Sequence, residues 1–522
     1  MYFRDEKIWH RPFREIWPML VLLLLVVFGG LFALGHYAYH NYHVWENHVV
    51  AATCTAPGYT THTCRICGIS HTDTYTTASH TYSAYITIRE PGEETVGIRA
   101  SYCSGCGDCH LSEIPPTLLL PSVHLDGNIG SMSSDVAVPL QMTYDSYQVF
   151  FTATAVARWQ GFTAAGFPKK NYNIKLYTDD TLTIHQREDL GFGNWGAQWK
   201  YTIKANYIDR SHARNIVSCR LWGQMVRTRE NSNPDLLNAP NAGATDGFLI
   251  RVWLNGVYTG IYTMNIPKDK WMFGMDEETH PYSAIITSQM HNSTNRFQAT
   301  TDLYTTQDWD VEYCSTGEDI AWLNESFNNM IRFIRDTSGN AFREGISEYV
   351  DVEAAIDYTI MCFAMYGPDN WDKNMVLVTY DGVQWIPCLY DADCSFGLYW
   401  AGTYFYTRAE MDQCLPTVVR ETSIYTNNWM LSKIAYYFYD EFVDRYWELR
   451  DSVLSEENMI AAFEEFENSI PYRFFEEDLR INALPNPIDP ATGLENNADQ
   501  AAAFIEWRMA RLDEAMRNLR RE

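Results

Sequence analysis

The chain begins with a basic segment followed by a long apolar one. Residues Trp17–Gly35 form a run of nineteen residues without a charge. As a helix this run would extend about 28 Å, close to the thickness of a bilayer's hydrocarbon core. The preceding segment contains four basic residues, Arg4, Lys7, Arg11 and Arg14. The sequence therefore predicts a membrane-spanning helix.

The next basic residue after this run is Arg65. Under the positive-inside rule we expect the N-terminus in the cytoplasm and the bulk of the chain outside the membrane. This corresponds to a single-pass cell-membrane protein that is mostly extracytoplasmic. The alternative is a cleaved signal peptide, with the letters "ALG" at 33–35 as its cleavage site.

Beyond residue 117 the pattern first predicts β-strands. Apolar and β-branched residues alternate in short segments bounded by turn residues, and Asn255-Gly256 is a hairpin signal. The predicted strands are 147–157, "NYNIKLY", "KYTIKANYID" and the hairpin "DGFLIRVWLNGVYTGIYTMNI". Before this hairpin a helix is predicted, with Ser211 as its N-cap and Ala213, Ile216, Val217, Leu221 and Met225 at helical spacing.

The rest of the chain predicts mostly helices. They are expected at about 318–337, 350–366, 425–452, 456–468 and 498–520. The last carries an apolar stripe that we assign to the core, formed by Ile505, Met509, Leu512, Met516 and Leu519. The only strands expected in this half lie within 367–397.

These patterns divide the chain into four segments. They are a basic cytoplasmic N-terminus (1–16), a transmembrane anchor (17–35), a Cys/His-rich segment (43–115) and one large α+β domain (117–522). The stretch "EIPPTLLLP" reads as a linker, because two adjacent prolines resist both helix and central strand.

Composition and charge narrow the choice of partners. The 522-residue chain has a net charge of -27, so it would repel the phosphates of a nucleic acid, and we expect no nucleic-acid partner. A phosphate ligand is still compatible with this charge, because a metal ion can screen carboxylates locally. Of the twelve cysteines, six lie between Cys54 and Cys109.

The Cys/His-rich segment contains a duplicated C-x2-C-G motif. The first copy supplies Cys64 and Cys67, which with Cys54 and His80 would form one structural zinc site, with His71 as a reserve ligand. The second copy keeps the motif as Cys103 and Cys106 and adds Cys109 and His110, but Ile88 stands at the position that corresponds to Cys54. This second site lacks a ligand unless Cys109 or His110 supplies it.

The segment "ATCTAPGYTTHTCRICG" resembles a small Cys-rich repeat of surface proteins from Gram-positive gut bacteria. The resemblance implies a spacer or binding module and no catalytic role. Disulfide pairing outside the cell is the alternative to zinc for these cysteines.

The order of elements in the large domain is that of a protein kinase. A strand leads into a glycine-containing loop at Gly161, and a later strand carries Lys204. A helix, a hairpin and a helical region follow, with Asp369, Asn374 five positions later, and Asp391 at the end of a strand before "SFG".

Phosphoryl transfer explains why these residue types recur in this order. Lys204 would bind the ATP phosphates, with Lys170 and Lys175 as alternative phosphate ligands. Asn374 and the pair Asp391 and Asp393 would hold Mg²⁺ or Mn²⁺. The remaining carboxylate, Asp369, would lie near the acceptor hydroxyl group.

At these residues the chain resembles the CotH kinase family of atypical protein kinases. The resemblance is carried by "GFPKKNYNIKLY", "YTIKANYIDRSHARN", "NGVYTGIYTMNIPKDKWMFGMD", "DNWDKN" and "LYDADCSFG". It implies a bilobal kinase-like fold with a β-rich N-lobe and a helical C-lobe. It also implies that Lys204 binds phosphate, that Asp369 is catalytic, and that Asn374 and Asp391 hold the metal.

Three functions are compatible with these observations. The first is a membrane-anchored kinase that transfers the γ-phosphate of ATP to hydroxyl side chains of surface or coat proteins. The second is a catalytically inactive pseudokinase that serves as a binding module. The third is an adhesin whose 34 Tyr and 17 Trp residues bind glycans. The joint presence of Asp369, Asn374 and the acidic pair favours the enzyme.

Overall fold

The N-terminal apolar segment is a single long helix in the computed structural model of the chain. The structure describes residues 13–92, 95–114, 116, 120–146, 148–161, 163–402, 404–484 and 487–522. Helix α1 spans Phe13–Asn41 and contains one proline, Pro18. Within the described residues, Trp17–Tyr39 is the one helical segment long and apolar enough to cross a membrane. This is compatible with a single-pass anchor or with a signal sequence, and most of the predicted basic segment lies outside the described residues.

The described chain divides into two compact units, one containing residues 1–83 and 100–111, the other residues 84–99 and 112–522. In the smaller unit, β1 (Trp45–Val50), β2 (Gly58–Cys64) and β3 (Ser70–Thr76) form an antiparallel sheet in that order. Three short strands follow along the chain: β4 (Ile86–Arg89), β5 (Gly97–Tyr102) and β6 (Cys109–Ile114).

The larger unit contains a closed barrel of seven strands in the order β10-β11-β13-β12-β7-β8-β9. They are β7 (Ser122–Gly127), β8 (Val138–Asp145), β9 (Phe150–Gln160), β10 (Asn171–Tyr177), β11 (Lys200–Lys204), β12 (Gly247–Leu254) and β13 (Val257–Asn265). Side chains of β8 alternate between the buried interior and the surface, as a barrel wall requires. Asn255 and Gly256 both have positive φ at the β12–β13 turn, which confirms the predicted hairpin.

A second sheet of four antiparallel strands has the order β15-β14-β16-β17. Its members are β14 (Ala284–Ser288), β15 (Trp309–Cys314), β16 (Val376–Thr379) and β17 (Ile386–Cys388). Strands β16 and β17 fall within 367–397 as expected. Strands β14 and β15 were not predicted. The five residues of β14 are all buried and show no alternation, whereas the alternation of β15 was overlooked.

Helices make up most of the remainder, so the fold is mixed α/β with twelve α-helices among the described residues. After α1 they are α2 (Arg214–Thr228), α3 (Pro234–Asn238), α4 (Ala321–Asp336), α5 (Gly339–Gly345), α6 (Val352–Met365), α7 (Arg408–Asp412), α8 (Trp429–Tyr437), α9 (Tyr439–Arg450), α10 (Glu456–Glu467), α11 (Arg473–Ile481) and α12 (Ala498–Arg517). A short parallel pair, β18 (Val418–Val419) and β19 (Arg520–Arg521), completes the unit.

Two helix predictions need correction. Phe438 has a non-helical conformation and separates α8 from α9, so the predicted helix over 425–452 is two helices. Ser211 is not the N-cap of α2. Instead, the carboxylate of Asp209 accepts the main-chain N–H of Arg214 at 2.9 Å and that of Ser211 at 3.2 Å. The apolar stripe of α12 is buried as predicted.

Candidate active site

A buried ion pair joins the barrel to the segment that follows the second sheet. Lys204, the last residue of β11, donates from Nζ to Asp391 Oδ1 at 2.7 Å. The two side chains are only 8% and 28% exposed. Burial alone would lower the pKa of Lys204, but the negative charge of Asp391 raises it above its ordinary value. Burial would likewise raise the pKa of Asp391, and the ammonium group of Lys204 lowers it instead.

Asp391 and Asp393 form a pair of like charges in the segment Asp391–Asp393, which we call the DAD segment. Burial and the charge of Asp391 raise the pKa of Asp393 to about 7. Asp391 has a left-handed conformation with φ 50°, which non-glycine residues rarely adopt. Two neighbouring carboxyl groups that are half-buried repel each other when both are ionised, so a bound cation would stabilise the ionised pair.

Asn374 lies beside the same segment. Its Nδ2 donates to the main-chain carbonyl of Asp391 at 3.3 Å. Its own main-chain N–H donates to Ser288 at the end of β14, at 2.9 Å, and its φ of 59° turns the chain into β16. The second sheet therefore brings together Asn374 and Asp391, as the sequence predicted.

Asp369 begins a short 3-10 turn that ends at Trp371, just before β16. His291 lies between two carboxylates, with Nε2 3.7 Å from Asp369 Oδ1 and Nδ1 3.7 Å from Asp372 Oδ2. The nearby carboxylates, first that of Asp369 and then that of Asp372, raise the pKa of His291 to about 9. The negative charge of Asp369 also contributes to the raised pKa of Asp393, so Asp369 belongs to the same electrostatic neighbourhood.

The two carboxylates beside His291 differ in access. Asp372 is 4% exposed and accepts a hydrogen bond of 2.8 Å from Nε of Arg296. Asp369 is 25% exposed. A solvent-accessible carboxylate can meet an acceptor hydroxyl group, whereas a buried one paired with arginine mainly holds the loop.

The DAD segment is fixed to the helices by groups that the sequence analysis did not single out. Asn215 on α2 accepts the main-chain N–H of Ala392 at 3.0 Å. Ser395 donates to the carbonyl of Ala392 at 2.7 Å, and Asn370 donates to the carbonyl of Tyr390 at 2.8 Å. The sequence offered little signal for Asn215, because it lies between Arg214 and Ser218 in the first turn of α2 and only the structure shows that it is buried.

The glycine loop begins close to this site. Gly161 follows β9 and has φ 87°, a conformation that suits glycine. The preceding residue, Gln160, donates from Nε2 to the hydroxyl group of Tyr390 at 3.3 Å, one residue before Asp391. Gly161 therefore directly follows Gln160, which contacts Tyr390, the residue before the DAD segment.

The two alternative phosphate ligands lie elsewhere. Lys170 donates within its own loop, to Ala165 O at 2.7 Å and to Phe167 O. Lys175 is on the exposed face of β10, where its charged neighbours are Lys200 and Arg158. The structure does not group either lysine with the Lys204–Asp391 pair, because strand alternation and the loop's own carbonyl groups direct them away.

Two lysines without a predicted role contribute positive charge here. Lys268 lies 4.6 Å from the ring centre of Tyr390 and forms an ion pair of 2.6 Å with Glu312. The charges of Lys268 and Lys373 help to lower the pKa of Asp391. Lys268 belongs to "NIPKDK", a stretch that carried the family resemblance but suggested no individual role.

The predicted zinc ligands are not brought together as one set. Cys54 and His80 lie with Cys103 and Cys106, whereas Cys64 and Cys67 lie with His43. The reserve ligand His71 is in a third group, with His62 and Asp73.

The register of β1 and β2 explains this correction. It pairs Trp45 with Cys64 and Val50 with Tyr59, so Cys54 lies beyond the opposite end of the ladder. Six residue pairs span about 16 Å at about 3.3 Å per residue, which is too far for one metal ion. Cys54, and not Cys109 or His110, completes the second group.

Two comparisons with known proteins give different results. No curated protein sequence matches the chain, but a family model does. The family model described as "CotH kinase protein" matches residues 157–512, most of the chain, including Lys204, Asp369, Asn374 and Asp391. The chain therefore belongs to the CotH kinase family.

Proposed function

We propose that this protein is a membrane-anchored, extracytoplasmic protein kinase of the CotH type. In this proposal the barrel serves as the N-lobe and the helical region as the C-lobe of a bilobal kinase-like fold. The substrates are ATP and hydroxyl side chains of surface or coat proteins. The observation that carries the proposal is the buried Lys204–Asp391 pair next to Asp393, where strand ends of two sheets meet.

The residues present fit a divalent metal ion. Carboxylate and amide oxygens are the ligands that Mg²⁺ and Mn²⁺ prefer. Asp391, Asp393 and Asn374 supply them, and the raised pKa of Asp393 reflects a negative charge that a cation would relieve. When bound, the ion would neutralise charge on the ATP phosphates.

Lys204 is suited to hold phosphate oxygens. Its ammonium group is charged and almost completely buried, with Asp391 as its carboxylate partner. Anionic phosphates can take over part of that partnership, which leaves Asp391 available as a ligand. Lys268 and Lys373 add positive charge around the same segment.

Asp369 would orient the acceptor hydroxyl group and accept its proton. It is accessible, and His291 holds it from one side while Asp372 remains buried against Arg296. The raised pKa of His291 favours its protonated form, so a positive charge would lie beside the Asp369 carboxylate.

Helix α1 would anchor this enzyme, with its basic flank in the cytoplasm. A second candidate function is a pseudokinase that binds a ligand without transferring phosphate. It is favoured by the direct contact of Lys204 with Asp391, because that contact already satisfies both charges.

The test is phosphate transfer by the full chain solubilised in detergent. We expect incorporation of γ-phosphate into protein that depends on Mg²⁺ or Mn²⁺, and its loss in Asp391→Asn and Lys204→Met. Matched surface controls are Asp444→Asn and Lys270→Met, which should behave as wild type. Nucleotide binding without transfer would support the pseudokinase. Absence of both binding and transfer, with Asp391→Asn indistinguishable from wild type, would overturn the kinase proposal.

A further inference from the structure

The cysteine and histidine side chains of the smaller unit form a site that is independent of the proposed kinase chemistry. The Sγ atoms of Cys54, Cys103 and Cys106 and one ring nitrogen of His80 all lie within 4.8 Å of one another. Cys54 Sγ is 3.3 Å from Cys103 Sγ, and Cys106 Sγ is 3.4 Å from His80 Nδ1. We propose that these four residues bind one structural Zn²⁺, which joins the first Cys/His repeat to the second.

The distances fit a metal ion better than a disulfide. A disulfide bond requires about 2.05 Å between sulphur atoms. Ligands at tetrahedral angles around zinc lie roughly 3.5–3.8 Å apart, given Zn–S of about 2.3 Å and Zn–N of about 2.0 Å. The Cys54–Cys103 and Cys106–His80 distances of 3.3 and 3.4 Å are within about half an ångström of that spacing.

The two repeats use the same local structure for the C-x2-C-G motif. Gly68 and Gly107 have φ 74° and 72°, and each donates its main-chain N–H to the first cysteine of its motif, at 2.9 and 2.8 Å. In each repeat a histidine precedes that cysteine, His43 by 21 residues (64 − 43) and His80 by 23 residues (103 − 80). Each repeat therefore supplies three ligands of its own.

The fourth ligand comes from the preceding repeat. Cys54 lies at the end of the β1–β2 ladder opposite to Cys64, so it cannot reach the motif of its own repeat. It reaches the motif of the next repeat instead. The zinc ion would thus connect consecutive repeats. The spacing of cysteines along one repeat does not suggest this connection.

Gly105 gives independent support for this arrangement. A Cβ atom at Gly105 would lie 2.7 Å from Cys54 Sγ, closer than real Cβ contacts allow. The corresponding residue of the first motif is Ile66, whose group His43, Cys64 and Cys67 has no fourth cysteine or histidine among the described residues. The second motif therefore has glycine at the position where Cys54 needs space. The first motif, which no such cysteine approaches among the described residues, has the larger Ile66 there.

The experiment counts zinc bound to the full chain in detergent, by elemental analysis after dialysis. We expect Cys54→Ser and Cys103→Ser each to lose the same one equivalent, and the double variant to lose no more. Cys109→Ser removes an exposed cysteine of the same segment and should retain the metal. If Cys54→Ser and Cys103→Ser instead lost one equivalent each and two together, they would serve different sites and the proposal would fail.

A second variant keeps every ligand. Gly105→Ala should weaken zinc binding because its Cβ displaces Cys54, whereas Ile66→Gly should leave this site unchanged. Cobalt substitution provides a spectroscopic readout, since thiolate-to-metal charge transfer should fall in Cys54→Ser as one of three thiolates is lost. Wild-type protein without zinc, with thiol titration showing Cys54 in a disulfide, would overturn the inference.

Discussion

The side chain of Asn215 on α2 accepts a hydrogen bond of 3.0 Å from the main-chain N–H of Ala392, the residue between Asp391 and Asp393. This contact fixes the middle of the DAD segment to helix α2. The orientation of both carboxylates therefore depends on a neutral amide that is almost completely buried.

Replacing Asn215 by Ala should leave the buried N–H of Ala392 without a partner. We expect a loss of roughly 1–3 kcal/mol in the free energy of unfolding, measured with urea. Metal-dependent phosphate transfer should fall as well, because Asp391 and Asp393 lose their support. Gln224→Ala on the same helix is the control, because the side chain of Gln224 accepts its hydrogen bond from Asn458 and not from the DAD segment. Equal transfer rates for the two variants would show that Asn215 does not position the segment.

Lys204 and Asp391 should be energetically coupled. Lys204→Met leaves Asp391 as an unpaired buried charge, so we expect a loss of about 3–5 kcal/mol in unfolding free energy. Asp391→Asn in the same chain should restore part of that loss, because no net charge then remains buried. A double-mutant cycle in chelator, followed by urea unfolding, measures the coupling. Additive losses would contradict the ion pair.

His291 should make stability depend on pH. Its pKa rises from 6.5 in the unfolded chain to about 9 in the fold, so the folded protein retains a proton that the unfolded chain releases. The stabilisation is fully present below about pH 6.5 and is lost as the pH rises through about 9. We expect Tm to fall less across this range in His291→Gln than in wild type.

The control for this pH effect is His185→Gln, because burial and the charge of Arg187 lower the pKa of His185. Because the folded-state pKa is lowered from 6.5, His185 is mostly deprotonated in both the folded and the unfolded chain above about pH 7.5, so its replacement should leave the fall of Tm between about pH 7.5 and 9 unaltered. Identical Tm profiles for wild type and His291→Gln would mean that the contacts of His291 with Asp369 and Asp372 do not persist in solution.

We expect replacement of Asp369 to affect phosphate transfer and replacement of Asp372 to affect stability. Asp369→Asn should keep nucleotide affinity but reduce transfer about 10²–10⁴-fold, since the proton acceptor is lost. Asp372→Asn should mainly lower Tm, because it removes the buried partner of Arg296. Measuring ATP affinity, transfer rate and Tm for both variants decides between these roles, and a reversed pattern would assign catalysis to Asp372.

The anchor prediction concerns the N-terminus of the mature protein. If α1 is retained, N-terminal sequencing of the membrane fraction should start at residue 1 or 2, and protease added outside intact cells should degrade the large unit. A mature N-terminus near His36 would identify a cleaved signal sequence instead.

Local patterns predicted much of this fold. The strands β9, β10 and β11 and the Asn255-Gly256 turn were readable because alternation and turn chemistry depend on neighbouring residues alone. Strand β14 was not readable, because burial on both faces removes the alternation. The break at Phe438 was also missed, since the apolar period continues across it.

The candidate site could be predicted from the sequence where the order of residues along the chain identifies them. The prediction failed where the position of a side chain depends on how strands and loops pack in three dimensions. Asp369, Asn374 and Asp391 follow a known order along the chain, and the structure groups them. Lys170 and Lys175 differ from Lys204 in the direction of their side chains, which the sequence does not show. Asn215 and the partnership of Cys54 depend on contacts between segments far apart in sequence.

Closure of the barrel has a consequence for how a protein substrate can be recruited. Each of its seven strands pairs with a neighbour on both sides along at least part of its length, so the barrel, within the described residues, has no edge strand to which an additional strand could be added. An extended polypeptide cannot dock there by β-augmentation, a common mode of peptide capture. Selectivity toward acceptor proteins, as far as it involves the barrel, must come from side chains and loops.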